Sequence, residues 1–492
     1  MLTGLVCQLL SMGVVFACRT FFAQLLAKEY LGLSGLFTNI IAVLSLSELG
    51  LGSVIIVNLY KPLAEDDKIQ VCKLMNFYRQ AYHLIGLFVI CCGIVLVPFV
   101  KYLVKAKVEI PYLELYFMLF ILQSATSYFF SYKQSILIAS QNEYICTIIR
   151  QFFNILLNVL QIIFLFLTRN YMVYLLIAIF TSLGTNIVLS MVVDQKFSYL
   201  KENRKILLHR KEKNELFKNV SSMMLHKIGN VTTNATSNIL ISSMIGIAIT
   251  GLYSNYSLLI NVLLQIVTII FGSVSASIGD FNARKSGKEL NELYNALNLF
   301  SYWIFGVSSI CMFSLIQPTI KLWLGEDFLL DQGCVLLIVV NYFLNGIFRV
   351  PATFVDVSGL YTRTKFKPVS MAAINLISAI ILLKLCGLPG VFLGTLISYI
   401  SVAIWVDPYF LYKYRFKASI MEYWKKLFLA LSTTVIVGGI TYYAMTCMPN
   451  YILKVLVVAV LSNFLFMFVY FKAPEFQYVW HRLKPIISKI KS

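Results

Sequence analysis

The stretch LHKIGNVTTNATSN places a histidine, a lysine and three asparagines inside an otherwise apolar segment. His226, Asn230 and Asn234 follow one another at intervals of four, so a helix puts them on one face, with Lys227 and Asn238 flanking it. A lysine near the centre of a bilayer costs roughly 2.5–3.5 kcal/mol on insertion scales, which favours a partner, a water-filled cavity or a functional role. For the histidine, an ordinary hydrogen bond to another helix is the alternative. The pattern predicts a polar, cationic binding surface.

Four further charges fall inside apolar stretches. Arg19 and Glu48 lie in neighbouring stretches, so an ion pair between them is one interpretation, and transport of a coupling ion by Glu48 is the other. Arg349 and Asp356 are seven residues apart and therefore share a helical face. Pro351 predicts a kink just after Arg349.

Uncharged polar residues form rows at helical spacing. One row comprises Ser254, Ser257, Asn261, Gln265, Thr268 and Ser275, and another comprises Arg150, Asn154, Asn158 and Gln161. The structural alternative is that such residues join helices by hydrogen bonds within the bilayer. Rows on several helices favour a polar cavity between them, and Asn261 is the predicted binding residue of the first row.

The composition indicates that the segments bearing these polar residues are membrane-spanning helices. Apolar residues make up 59% of the 492 positions, charged residues 13%, and the mean hydropathy is +0.79. Apolar stretches of about 20 residues recur along the chain, which predicts an all-α, polytopic membrane protein. The fourteen predicted spans are 3–26, 35–58, 78–100, 113–133, 144–167, 172–194, 219–245, 250–276, 296–317, 333–357, 368–386, 390–412, 427–446 and 453–471.

The net charge of +19 is explained by topology. When cations in the first or last two turns of a span are counted with the adjoining loop, 30 of the 41 Lys and Arg residues fall on one side of the predicted spans, 8 fall on the other and 3 lie deeper within spans. The positive-inside rule assigns the richer side to the cytoplasm, which places both termini there. We therefore expect a multi-pass protein of the plasma membrane, with no role for nucleic acid.

Short motifs recur in order along the chain. GLFTN at 35–39 returns as GLYSN at 251–255, YHLIG at 82–86 as YWIFG at 302–306, and LGT at 183–185 again at 393–395. The three pairs indicate an internal duplication of six spans, so the repeats are parallel. The predicted organisation is an N-lobe (1–195), a basic cytoplasmic linker (196–218), a C-lobe (219–415), and two last helices with a basic tail (416–492).

Longer motifs carry a family resemblance. They are KEYLGLSGLFTNIIAVLSLSELGLGSVIIVNLYKPLAEDD, HKIGNVTTNATSNILIS, GLYSNYSLL, ASIGDF, IKLWLG and GLYTRTKFKP. Together they resemble bacterial flippases for lipid-linked polysaccharide repeat units, the Wzx-type O-antigen and capsule exporters of the multidrug/oligosaccharidyl-lipid/polysaccharide (MOP) superfamily. The resemblance implies a bundle of six plus six helices with two extra C-terminal helices. It also implies alternating-access transfer of an undecaprenyl-diphosphate-linked oligosaccharide through a cation-lined cavity, to which Arg19, His226 and Lys227 correspond by position.

The chain departs from the family pattern at two acids. Ser237 stands where the pattern has Asp, and Met371 where it has Glu, which makes the implied cavity more positive and calls into question ion coupling through those positions. No cofactor or metal is implied, although a proton or sodium gradient is a candidate energy source. The expected partners are the lipid-linked substrate, membrane lipid, and as protein candidates a polysaccharide polymerase and a chain-length regulator. A monomer is expected to be sufficient.

Two other functions compete. A multidrug or cation antiporter of the same superfamily would favour an acid-rich cavity, whereas here Glu48 and Asp356 are outnumbered by Arg19, Lys227 and Arg349. A membrane polysaccharide polymerase or glycosyltransferase would need a sizeable outer loop for catalytic groups. The longest predicted outer loop, 318–332, is short, so we expect a transporter and no enzyme.

Overall fold

The computed structural model describes residues 2–45, 51–105, 110–202, 237–284, 287–360 and 363–478, with single positions at 206, 208, 212, 213 and 216. In these ranges the regular structure is helical throughout and contains no strand. The helices used below are α1 Leu2–Leu25, α2 Lys28–Leu44, α3 Leu51–Ala64, α4 Lys68–Leu96, α5 Leu113–Ser131, α6 Gln134–Ala139, α7 Glu143–Thr168, α8 Tyr171–Lys196, α9 Ile247–Arg284, α10 Gly287–Leu324, α11 Gln332–Ile347, α12 Arg349–Val357, α13 Lys367–Cys386, α14 Leu388–Ser398, α15 Ile404–Phe410, α16 Met421–Thr446 and α17 Tyr451–Tyr470.

Eleven helical segments among the described residues are apolar and long enough to cross a bilayer. They coincide one by one with predicted spans 3–6 and 8–14. Helix α1 lies on the first predicted span, α2 and α3 cover the two ends of the second, and most of the seventh lies outside the described residues. The predicted fold class, an all-α multi-pass membrane protein, is confirmed.

The chain divides into two compact units, Met1–Ser254 and Asn255–Ser492. The predicted division at the basic linker 196–218 stays a prediction. In the first unit, α7 packs against α1 and α8, and α5 packs against α4 and α8. An apolar core around Ile55, Tyr78 and Leu137 joins α3, α4 and α6.

A glycine crossing ties the first turns of α9 into the first unit. A side chain at Gly32 would collide with the backbone carbonyl of Ile247, and one at Gly251 with the carbonyl of Lys28. The backbones of α2 and α9 therefore touch directly, as small residues allow between membrane helices. This contact fixes the position of Ser254, one turn further along α9.

Gly251→Ala is expected to destabilise the protein by about 1–3 kcal/mol, because the added methyl group meets rigid backbone. The apparent melting temperature in detergent and the monodisperse fraction on size exclusion should both fall. Gly439→Ala is the matched control, since none of the described residues has an atom within 4 Å of a Cβ placed there. Equal melting temperatures for the two variants would disprove the crossing.

In the second unit, α10 packs against α11, α16 and α17. At 38 residues it is about 57 Å long, well beyond the roughly 30 Å hydrocarbon layer. Gly306 of α10 makes room for the ring of Phe466, which lies in a core with Val437 and Val458. This packing holds α16 and α17 against α10.

The predicted kink in span 10 exists, but it precedes Arg349 instead of following it. Helix α11 ends at Ile347, and α12 begins at Arg349. The reason is that Pro351 has no N–H, so the carbonyl of Ile347, four residues earlier, loses its helical partner. Arg349 therefore lies at the start of a new helix.

Candidate functional site

The structure describes five of the ten predicted site residues. Glu48, His226, Lys227, Asn230 and Asn234 lie outside the described residues, so their roles, including ion coupling by Glu48 and its pairing with Arg19, stay predictions. Arg19, Asn238, Asn261, Arg349 and Asp356 are described and fall into two groups, one in each compact unit.

Arg19 forms the first group with the N-terminal turns of α9. Its guanidinium donates a hydrogen bond to the hydroxyl of Ser254, the first member of the predicted row on that helix. The hydroxyls of Tyr171 and Tyr174 on α8 lie close enough to interact with it electrostatically. A predicted cation and a predicted polar row thus meet.

Tyrosines surround this position, and the sequence analysis did not identify them. Tyr171 is buried, its hydroxyl lies 2.9 Å from that of Ser34, and its ring centroid lies 4.8 Å from that of Tyr30 and 5.0 Å from that of Tyr116. Three of these rings stand at the first turns of α2, α5 and α8. In the sequence, this cluster is visible only as an aromatic residue near the start of each of three spans. Such residues are usually explained as part of the aromatic belt at the membrane interface.

The polar row on α7 has a structural role. Gln161 is buried and donates to the backbone carbonyl of Tyr174 at 3.1 Å, while its own carbonyl accepts from the thiol of Cys18 at 3.7 Å. Asn158 donates to the side-chain oxygen of Asn154 at 2.7 Å. The two bonds of Gln161 join α7 to α1 and α8, which is the helix-joining role that the structural alternative describes.

Asn238 lies in the helical turn that precedes α9. Its side-chain oxygen is buried, and the described residues supply no hydrogen-bond donor to it. Such an acceptor costs about 1–3 kcal/mol when left unsatisfied. It is therefore a candidate contact for a donor such as a sugar hydroxyl.

Arg349 forms the second group with the middle of α9. It donates to the hydroxyl of Thr268 at 2.7 Å, and Tyr342 and Tyr399 lie within electrostatic reach. Asn261 and Gln265 precede Thr268 by seven and three residues, and all three side chains are exposed on that helix. Arg349 therefore lies beside an exposed, neutral polar face.

Asp356 lies near the end of the same short helix, where it is exposed. It is about 10 Å along the axis from Arg349. The hydrogen bond of Arg349 goes to Thr268, and in the described part of the chain Arg349 forms no ion pair. Its charge is therefore not neutralised by a carboxylate there.

Two ion pairs, one partly buried and one with a buried acid, account for acids that the sequence analysis did not single out. In the first unit, Lys133 contacts Asp194 at 2.6 Å and Ser190 at 2.7 Å. In the second, Lys367 pairs with Asp407, which is only 3% exposed. Both acids belong to the sixth span of their repeat and lie 213 positions apart in the sequence. The sequence could have indicated these pairs through an acid at corresponding places in the two halves.

In each repeat, a cationic residue lies where the helix of the fourth span is interrupted. Lys133 follows the end of α5, and Arg349 follows the end of α11, 216 positions later, the same offset that separates GLFTN from GLYSN. Lys133 is neutralised by Asp194, whereas the recorded hydrogen bond of Arg349 in the described part of the chain goes to the uncharged hydroxyl of Thr268. The second break is therefore the one with positive charge available to a ligand.

Comparison with known proteins shows the fold. No protein-family model and no curated protein matches the sequence. The lipid II flippase MurJ in an inward closed conformation superimposes with a TM-score of 0.66 at 14% identity, over 96% of this chain and 99% of that one. An inward-facing multidrug resistance MATE transporter gives 0.65 at 13% identity over 80% and 92%. A Pyrococcus furiosus transporter of the MOP superfamily, described by the reverse polarity of its binding pocket, gives 0.53 at 15% identity over 82% and 90%.

Proposed function

We propose that this protein is a flippase that moves an undecaprenyl-diphosphate-linked oligosaccharide across the plasma membrane by alternating access, for the synthesis of a surface polysaccharide. The observation that carries the proposal is the site around Arg349, a cation that donates to the hydroxyl of Thr268 beside an exposed face of Asn261, Gln265 and Thr268. Guanidinium groups bind phosphate oxygens, and amides and hydroxyls bind sugars. A flippase needs such groups to receive a polar head while the prenyl tail stays in lipid.

The extent of the structural likeness supports a flippase. The lipid II flippase covers 96% of this chain, whereas the MATE transporter covers 80%. A lipid-linked substrate also agrees with the polar groups near Arg19, where the tyrosine hydroxyls and Ser254 provide neutral hydrogen-bonding partners. The sequence motifs favour a polysaccharide repeat unit as the substrate within this class.

A cation antiporter is the second candidate, because MATE transporters share the fold. It would use a carboxylate to attract its substrate. In the described helices the buried Asp407 and the partly buried Asp194 are each paired with a lysine. Arg349 would repel an organic cation, so the charge distribution favours an anionic substrate.

Deletion of the gene tests the proposal. We expect the undecaprenyl-linked oligosaccharide to accumulate in the cytoplasmic leaflet and the surface polysaccharide to disappear. The parent gene should restore the polymer, and so should a Lys384→Gln gene, which lacks one exposed cation far from the site in sequence. A deletion strain with normal surface polysaccharide and increased sensitivity to cationic drugs would favour the antiporter.

A further inference from the structure

Cations and aromatic rings meet on the outside of the second unit, in a cluster we call the cation–aromatic patch. It comprises Arg363, Lys365, Phe366, Trp405, Tyr409, Lys413 and Tyr414. The guanidinium of Arg363 stacks on the ring of Tyr414, with its central carbon 4.0 Å from the ring centroid. The ammonium of Lys413 donates to the hydroxyl of Tyr409 at 2.8 Å and lies 5.5 Å from the Tyr414 centroid. Two cations therefore lie close to the ring of Tyr414.

The exposed side chains of the segment Leu388–Phe416 change chemistry in one direction. Ile397 and Ile400 are exposed first, Trp405 and Tyr409 follow, and Lys413 comes last. Trp405 and Lys413 lie about two helical turns apart. The order is apolar, then amphipathic, then cationic, which matches the acyl chains, interface and headgroups of a bilayer.

The positive charge of the patch is not cancelled by neighbouring acids. Asp407, which lies between Trp405 and Tyr409 in sequence, is buried and paired with Lys367. Glu422, at the start of α16, contacts Lys426 at 2.5 Å. In the described part of the chain, Arg363, Lys365 and Lys413 form no ion pair. The rings therefore hold the cations in place without neutralising them.

We propose that the cation–aromatic patch binds an anionic phospholipid, with its phosphate between Arg363 and Lys413 and its acyl chains along the face of Ile400 and Trp405. A free phosphate would bind the same cations but would leave the adjacent apolar face uncovered. We therefore choose a lipid, whose acyl chains would cover that face. This site is separate from Arg349 and does not depend on which substrate the protein moves.

The test is native mass spectrometry of the whole detergent-purified protein titrated with dioleoyl phosphatidylglycerol. Arg363→Gln and Lys413→Gln should each weaken its apparent affinity about fivefold, and the double variant about 25-fold. Binding of dioleoyl phosphatidylcholine should not change. Tyr414→Phe keeps the ring and should bind like the parent, whereas Tyr414→Leu should bind less.

Lys101→Gln is the matched control. Lys101 also lies over a ring, 5.4 Å from the Tyr102 centroid, and no second cation lies over that ring among the described residues. Its loss should leave the phosphatidylglycerol affinity unchanged. In the parent protein, added salt should weaken phosphatidylglycerol binding and spare phosphatidylcholine, a measurement that needs no variant.

Two results would overturn the proposal. One is a double variant that melts like the parent and binds phosphatidylglycerol equally well. The other is displacement of phosphatidylglycerol by inorganic phosphate at the same concentration, which would show a site for free phosphate. If the double variant fails to fold, an absence of salt dependence in the parent decides against the lipid site.

Discussion

Arg349→Gln is expected to lower export of the lipid-linked oligosaccharide about 10- to 100-fold at parental abundance, because hydrogen bonds to charged groups contribute about 1.5–3 kcal/mol. The glutamine can still bond to Thr268, which is the described polar partner of Arg349, so the fold should be retained. Export of surface polysaccharide is measured at matched membrane levels of the protein. Arg349→Lys should retain part of the activity, since it keeps the charge but loses the planar fork that fits phosphate.

Two controls separate a substrate role from a structural one. Thr268→Val removes the hydroxyl partner but leaves the guanidinium, so export should fall much less than with Arg349→Gln. Lys384→Gln removes one exposed charge elsewhere and should be neutral. If Thr268→Val is as damaging as Arg349→Gln, the arginine only joins α12 to α9 and the assignment of a phosphate site is wrong.

Lys367→Met is expected to destabilise the protein by about 3–5 kcal/mol, because it leaves the charge of Asp407 buried without a partner. The apparent melting temperature in detergent and the yield of folded protein should both drop sharply. The double variant Lys367→Met with Asp407→Asn removes both charges and should recover most of the loss. No recovery would mean that the lysine acts through packing and not through the ion pair.

Lys321→Met is the matched control for that pair. Lys321 and Glu326 are also in contact, at 2.5 Å, but their side chains are 58% and 73% exposed. Solvent screens such pairs, which contribute about 0–1 kcal/mol. Lys321→Met should therefore melt like the parent, and a large shift would contradict the claim that burial sets the size of the effect.

The membrane spans could be predicted because each depends on one local property, a run of about 20 apolar residues. Predicted spans 368–386 and 390–412 became Lys367–Cys386 and the segment Leu388–Phe416. The kink in span 10 was predicted from Pro351 but misplaced, since the lost bond is that of the carbonyl four residues earlier.

Contacts between distant segments could not be predicted in the same way. Asp194 and Asp407 are isolated acids in the sequence, and only the fold brings Lys133 and Lys367 to them. The crossing at Gly32 and Gly251 depends on two backbones meeting, which no periodicity encodes. Helical spacing did place Asn261 and Thr268 on one face, but the position of Arg349 beside that face required the structure.

The most direct measurement of the central claim uses the purified protein in liposomes that contain an undecaprenyl-diphosphate-linked oligosaccharide. A membrane-impermeant reagent such as periodate oxidises only the sugars on the outer leaflet, with and without an imposed proton or sodium gradient. We predict that the parent protein brings the inner-leaflet oligosaccharide to the reagent and that Arg349→Gln does so much more slowly. An accessible fraction equal to that of protein-free liposomes, with or without a gradient, would contradict the account.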